Sequence, residues 1–310
     1  MLLFLFVTVR LNRDYFTIVN DDNYFSRDYP CHIYFICKRP RISINPEKFK
    51  ITKDYIEIVF RQQHKDEFKE FPITFANNGN LDITLITEYP YTDFKFVNNG
   101  EIIIEGRAAV FLNSIIDYRY ELLELLDLEV LYIGQSYGVD GARTAPDRLK
   151  SHSTLQGIYS EAIQKNPDCD IWLLLASFVQ VNITMFIPRT SFTQEEIFEH
   201  DKKAKEVFNK LNRGDINEQQ KVNFTEAALI RYFEPPYNVI YKDSFPNPAH
   251  KTYSECYDLD INSIAIELPT MEKATFRLYS KKIAPLGRHM HDFLIHSKDE
   301  RISMFNYFGE

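Results

Sequence analysis

The run Leu128-Glu129-Val130-Leu131-Tyr132-Ile133-Gly134 is short, apolar and closed by glycine, and it reads as a β-strand. Upstream of it, the leucines of Tyr120-Glu121-Leu122-Leu123-Glu124-Leu125-Leu126 recur at helical spacing and belong to a helix from about Leu112 to Leu126. Downstream, residues 135–145 form a polar loop with Gly138 and Gly141. Thr144-Ala145-Pro146-Asp147 then starts a helix with a hydroxyl cap, a proline in the first turn and an acid at the third position. That helix carries Arg148 and His152 and runs to about Gln164. Ile171 to Ile187 is apolar and β-branched, one long strand or a hairpin turning near Asn182. A charged helix, capped at Thr193-Gln194-Glu195-Glu196, reaches Leu211. Asn212 to Gln220 is a polar linker, and residues 221–233 form a helix bearing Glu226 that Pro235-Pro236 ends.

Further out the pattern changes to strands. Ile56 to Phe60, Leu81 to Ile86 and Glu101 to Glu105 are β-runs, separated by the turn signals Asn77-Asn78-Gly79-Asn80 and Asn98-Asn99-Gly100. β character returns in Ser263–Leu268, Thr275–Tyr279 and Asp292–His296. The expected fold class is α+β. It has a β-rich module over 1–110, an α/β domain over 111–258, and a β-rich C-terminal segment over 259–310 that packs with the first module.

The composition suits a folded protein of about two domains, with 45% hydrophobic and 26% charged residues. With 25 Phe, 19 Tyr and 10 Gly, the chain is rich in strand-favouring aromatics and poor in turn glycine. A net charge of −8 and a pI near 5.6 count against a promiscuous binder of phosphate backbones. Affinity for a polyanion would have to come from a narrow site, a partner subunit or homodimer, or a metal ion. Cys31, Cys37, Cys169 and Cys256 lack metal-ligand spacing and read as free thiols of a reducing compartment. The apolar run Met1–Val7 has no charged leader and no small-residue cleavage site. It reads as a first strand. With no stretch long enough to span a bilayer, the expected setting is the cytoplasm, without membrane contact.

Five residues carry the chemistry. Tyr132 offers a phenol at the end of a strand, and Gly134 lets a backbone pass close to a ligand. Arg148 and His152, four apart, project from one helix face. A guanidinium clamps phosphate, and an imidazole holds a leaving group or relays a proton. Glu226 is a single carboxylate early in a helix, enough for Mg²⁺ or Mn²⁺ that keeps much of its water shell. Asn238 follows the proline stop and either tethers the loop or bonds at the metal and phosphate. Each has a plainer alternative: a core tyrosine, a solvated basic face, the capping-box spacing Asn223 to Glu226, a polar turn residue. Arg143, Lys150, His250 and Lys251 stand as further phosphate contacts, and His289-Met290-His291 is a weak metal pair at strand spacing.

Taken together these residues resemble the GIY-YIG nuclease superfamily, over roughly residues 112 to 245. The second half-motif is Tyr132-Ile133-Gly134, the arginine stands in Arg148-Leu149-Lys150-Ser151-His152, the glutamate in Glu226-Ala227-Ala228-Leu229-Ile230, and the asparagine ends Pro235-Pro236-Tyr237-Asn238. No Gly-Ile-Tyr half-motif precedes Tyr132, and Tyr120 is taken as the nearest upstream stand-in. The resemblance implies a small central antiparallel sheet with flanking helices. It also implies Mg²⁺-dependent hydrolysis of nucleic acid, with DNA favoured over RNA, and by analogy a role in restriction or anti-phage defence. The alternative expectation is a catalytically degenerate fold of the same kind that binds nucleic acid or protein.

Overall fold

A computed structural model describes residues 2–12, 31–79, 82–115, 120–136, 153–183, 202, 218–247 and 263–294. Its architecture is α+β and mostly strands. In chain order these are β1 (Leu2–Asn12), β2 (Ile33–Pro40), β3 (Ile42–Ile44), β4 (Lys50–Ile51), β5 (Tyr55–His64), β6 (Glu67–Ala76), β7 (Ile83–Thr87), β8 (Asp93–Asn98) and β9 (Glu101–Arg107). Helix α1 (Ala108–Ile115), a 3-10 helix (Tyr120–Leu126), β10 (Leu128–Gln135), α2 (Ser153–Lys165), β11 (Cys169–Ile183) and α3 (Glu218–Phe233) follow. The described chain closes with β12 (Ser263–Leu268), α4 (Thr270–Ala274), β13 (Leu278–Tyr279) and β14 (His289–Leu294). None of the described helices is long and apolar enough to cross a membrane.

A seven-stranded sheet in the order β13-β10-β2-β11-β1-β12-β14 organises the molecule. β2 is antiparallel to both neighbours, β10 and β11. Its two faces are both covered, so Ile33 to Cys37 is a continuous buried run rather than an alternating one. Ile33, Phe35 and Cys37 enter a large core, while Tyr34 and Ile36 enter a small one on the other face. β11 divides in the same way, with Trp172, Leu174 and Ala176 on the large side and Ile171 and Leu175 on the small side.

The large core is filled by α3, which touches β10 near one edge of the sheet and β12 near the other. The sheet curls around this helix. At the edges, Leu278 of β13 bridges to Leu286, three residues before β14 begins at His289. This wrapping explains why every residue from Val222 to Ile230 is buried, although an amphipathic helix would leave one face to solvent. Helix α2 covers the small core from the opposite face, through Ile158 and Ala162.

Between β2 and β10 lies an inserted module. β6 and β3 flank β5 in one antiparallel sheet, with β4 also pairing β5, and β7-β8-β9 is a three-stranded meander. Phe49 stacks on Phe96 at 5.8 Å, and Phe60 and Phe94 pack around Phe111 of α1. These aromatics join the two small sheets to the large core.

Several boundaries differ from the sequence reading. The helix expected over Leu112–Leu126 is α1, ending at Ile115, and a separate 3-10 helix from Tyr120. β11 runs through Asn182 as one strand because Asn182 pairs with Leu3 of β1, so no turn forms there. Over Thr275–Tyr279 only Leu278–Tyr279 is strand, with α4 just before it. The helix expected over 193–211 lies outside the described residues, apart from Lys202, which is helical. The three stretches 1–110, 111–258 and 259–310 all contribute strands to the large sheet. β1 of the first pairs with β11 of the second and, in parallel, with β12 of the third.

Candidate functional site

The site grows from the glycine end of β10. Gly134 stands opposite Tyr34 on β2, with Ile133 opposite Phe35 and Gln135 opposite Ile33. An irregularity between Val130 and Tyr132 shifts the strand's phase. In consequence Leu131 and Tyr132 both lie on the α2 side, while Val130 and Ile133 face the large core. Tyr34 is fully buried, Tyr132 is partly buried, and their ring centroids are 6.1 Å apart at an interplanar angle of 37°. A Cβ on Gly134 would stand 2.5 Å from Cζ and Oη of Tyr34 and 2.8 Å from Cε1 of Tyr132. The glycine is therefore required by close approach: its missing side chain is the space the two phenol rings occupy.

Two further elements are bound to the same strand end by directional bonds. Asn238 accepts the Ile133 N–H at 2.9 Å through Oδ1 and donates to the Ile133 carbonyl at 2.8 Å through Nδ2. Beside it, the Tyr237 N–H donates to the Leu131 carbonyl at 3.1 Å. Residues 237–238 thus act as a short strand mimic along the outer edge of β10, beyond the point where β13 ends. Of the two roles expected for Asn238, tethering is the one its amide performs, since both of its ends are used on the backbone of one residue, Ile133. The Ser136 N–H donates to the His32 carbonyl at 2.8 Å and fixes the approach of the chain into β2.

Gln135 Nε2 donates to Asn223 Oδ1 at 2.8 Å, docking α3 against the strand. Asn223 lies inside α3, which starts at Glu218, so it is no N-cap and the capping-box alternative for Glu226 falls away. Glu226 is one turn further on and 9% exposed. Asn223, Thr225 and Glu226 form a polar segment in an otherwise apolar buried helix. The other α3 side chains, Phe224, Ala227, Ala228 and Leu229, belong to the large core, so α3 meets β10 from the face opposite α2.

Arg143, Arg148, Lys150, His152, His250 and Lys251 lie outside the described residues. α2 begins at Ser153, the residue after His152. Tyr120 is not brought to Tyr132. It is 69% exposed and opens the 3-10 helix that enters β10 at its Leu128 end. The tyrosine beside Tyr132 is Tyr34, which the sequence reading missed. Its signal was the run Ile33-Tyr34-Phe35-Ile36, apolar enough for a central strand, but the inserted module separates it from its partner.

Among the described residues no three His, Cys, Asp or Glu side chains cluster as a metal site. One carboxylate, with water and phosphate oxygens completing the shell, is still a donor set that Mg²⁺ accepts. Compared with known proteins, the chain matches no protein-family model, no curated protein and no solved structure.

Proposed function

We propose that this chain is a Mg²⁺-dependent endonuclease of the GIY-YIG kind, hydrolysing phosphodiester bonds in nucleic acid, with DNA favoured over RNA. The supporting observation is the antiparallel pairing of Ile33-Tyr34 with Tyr132-Ile133-Gly134, which sets two phenols side by side across a glycine. Tyr34 then takes the place of the first half-motif tyrosine, with His32 where that motif has glycine. In this reading Tyr132, backed by the buried Tyr34, orients the attacking water and the phosphate at the Gly134 end of β10. Arg148 clamps the non-bridging oxygens and His152 assists the leaving oxygen. Glu226, on the helix that lies across the sheet from the phenols, would hold the metal (Mg²⁺ or Mn²⁺), which when bound would polarise the phosphate and lower the pKa of its water. Asn238 and Gln135 keep the strand and α3 in register. A role in cytoplasmic restriction or anti-phage defence, as a homodimer or as a subunit of a larger complex, follows by analogy alone.

A second reading is a catalytically degenerate fold that binds nucleic acid or protein. It is favoured by the burial of Tyr34 and Glu226, and by α3 meeting the sheet from the face opposite the phenols. Labelled single- and double-stranded DNA and RNA, incubated with Mg²⁺ and with EDTA, separate the two. Cutting in Mg²⁺ that Tyr34→Phe and Glu226→Gln each abolish, with binding kept, supports the nuclease. Cutting that persists in EDTA removes the metal. Binding without cutting of any substrate leaves the second reading.

A further inference from the structure

The inserted module carries a row of rings on its outer face. Tyr89 is 85% exposed and meets Tyr91 edge-on, with ring centroids 6.1 Å apart. The Arg61 guanidinium lies 5.4 Å from the Tyr91 ring centre and 4.8 Å from that of Phe68, which is 47% exposed. Arg61 is held in place by its Nε donating to Ser43 Oγ at 3.1 Å. Tyr91 has a positive φ of 64°, uncommon for an aromatic residue. Its carbonyl accepts the Ile44 N–H at 2.9 Å, so the turn that presents both tyrosines is pinned to β3. Burial cannot be the purpose of an array with two exposed rings at its ends.

The module is also fixed to the large sheet. The Arg41 N–H donates to the Asp168 carbonyl at 2.8 Å, Arg41 Nη2 donates to the Pro167 carbonyl at 2.7 Å, and the Lys65 N–H donates to Asp168 Oδ2 at 2.8 Å. A ligand on the rings would therefore be held at a set distance from the glycine end of β10.

We propose that Tyr89, Tyr91, Arg61 and Phe68 form a stacking surface for the unpaired bases of a single-stranded nucleic acid. Every base offers a π-face, and rings alternating with a fixed guanidinium suit bases better than they suit a phosphate backbone. The charge around the row is balanced rather than basic. Glu70, across the β5–β6 ladder from Arg61, is tied to Lys48 and Asn45, and its bond from Lys48 holds it below the usual carboxylate range. Asp66 and Glu67 balance Lys65 and Lys69 nearby. Binding should thus depend on stacking more than on phosphate neutralisation and fall only weakly with salt. The proposal rests on reading the chain as a nucleic-acid protein and names the strandedness it prefers.

The test uses the full chain in EDTA and a fluorescein-labelled oligothymidylate of about twelve nucleotides. Tyr89→Ala and Phe68→Ala should each weaken binding about tenfold, while Tyr120→Ala, which removes an exposed ring elsewhere, changes nothing. Should Phe68→Ala disturb folding, Tyr89→Ala decides alone, because its ring is almost wholly in solvent. Unchanged affinity in Tyr89→Ala, tighter binding of duplex, or no binding by the wild type each overturns the proposal. Binding that depends on Tyr89 without cutting of any substrate would sink the nuclease and leave this surface standing. Cutting with unchanged KM in both variants would do the reverse.

Discussion

The two ends of α3 are held by opposite means. Near its start, the helix is docked to β10 by the directional bond from Gln135 to Asn223, and the chain beyond its end returns to grip Ile133 through Asn238. At its last turn, Tyr232 and Phe233 pack against His289, with ring centroids 5.6 and 4.9 Å away. His289 is fully buried, and its Nδ1 meets the Tyr232 hydroxyl at 3.2 Å. The polar end fixes register, which a reacting group needs. The packed end excludes charge, which gives stability only while the imidazole is neutral.

The largest break in that comparison should come from acid. Burial pushes His289 down from its ordinary 6.5 to about 4, against the opposing pull of the Leu286 and Leu278 carbonyls. The unfolded chain therefore takes up a proton between these values that the folded one refuses. The contribution is complete above about pH 6.5 and lost as pH falls toward 4, by about 3 kcal/mol. Urea midpoints measured against pH should show a steeper fall for the wild type than for His289→Gln over that window. Parallel curves would place the stability of this end elsewhere.

At the polar end, Gly134→Ala drives a methyl into two phenol rings and should cost about 2–3 kcal/mol. Thermal unfolding would register the loss, and any cleavage activity should vanish with it. Asn238→Ala strands the buried N–H and carbonyl of Ile133 and should cost about 2 kcal/mol. Asn238→Asp should cost at least as much, since its carboxylate would be buried against the Ile133 carbonyl oxygen with no proton to give it. Gln135→Ala removes one bond and should cost about 1 kcal/mol of stability. A larger effect on turnover than on substrate binding would separate a positioning role from simple packing. The smallest effect belongs to Tyr120→Phe, which should leave stability within about 0.5 kcal/mol and activity unchanged. A loss of turnover there would return the first phenol to Tyr120 and take it from Tyr34.

Local signals carried much of the fold. The Asn98-Asn99-Gly100 turn is the β8–β9 hairpin, with Asn99 and Gly100 both at positive φ as such a tight turn demands. The strand ending in Gly134 and the helix stopped by two prolines stand within a few residues of their expected limits. Each of these depends on neighbours in sequence, through steric limits on φ, the missing N–H of proline or the alternation of side chains. Residues 193–211, apart from Lys202, and the basic segment around Arg148 lie outside the described residues, so the expectations for them stay as sequence readings.

What the sequence determined by itself was a part of the elements, β10, the β8–β9 turn and the proline stop of α3 among them, and Tyr132, Gly134, Glu226 and Asn238 were picked there by type and spacing. Only the tertiary structure decided which of them meet and through what. Tyr34 reaches Tyr132 because β2 and β10 pair across the whole inserted module, and Asn223 is a docking residue rather than a cap because α3 begins at Glu218. The sheet extends around α3 from β10 to β12 because β1 pairs with β11 on one side and with β12 on the other. Pairings of this kind follow from which long-range burial is most favourable for the whole chain, and no window of neighbouring residues contains that comparison.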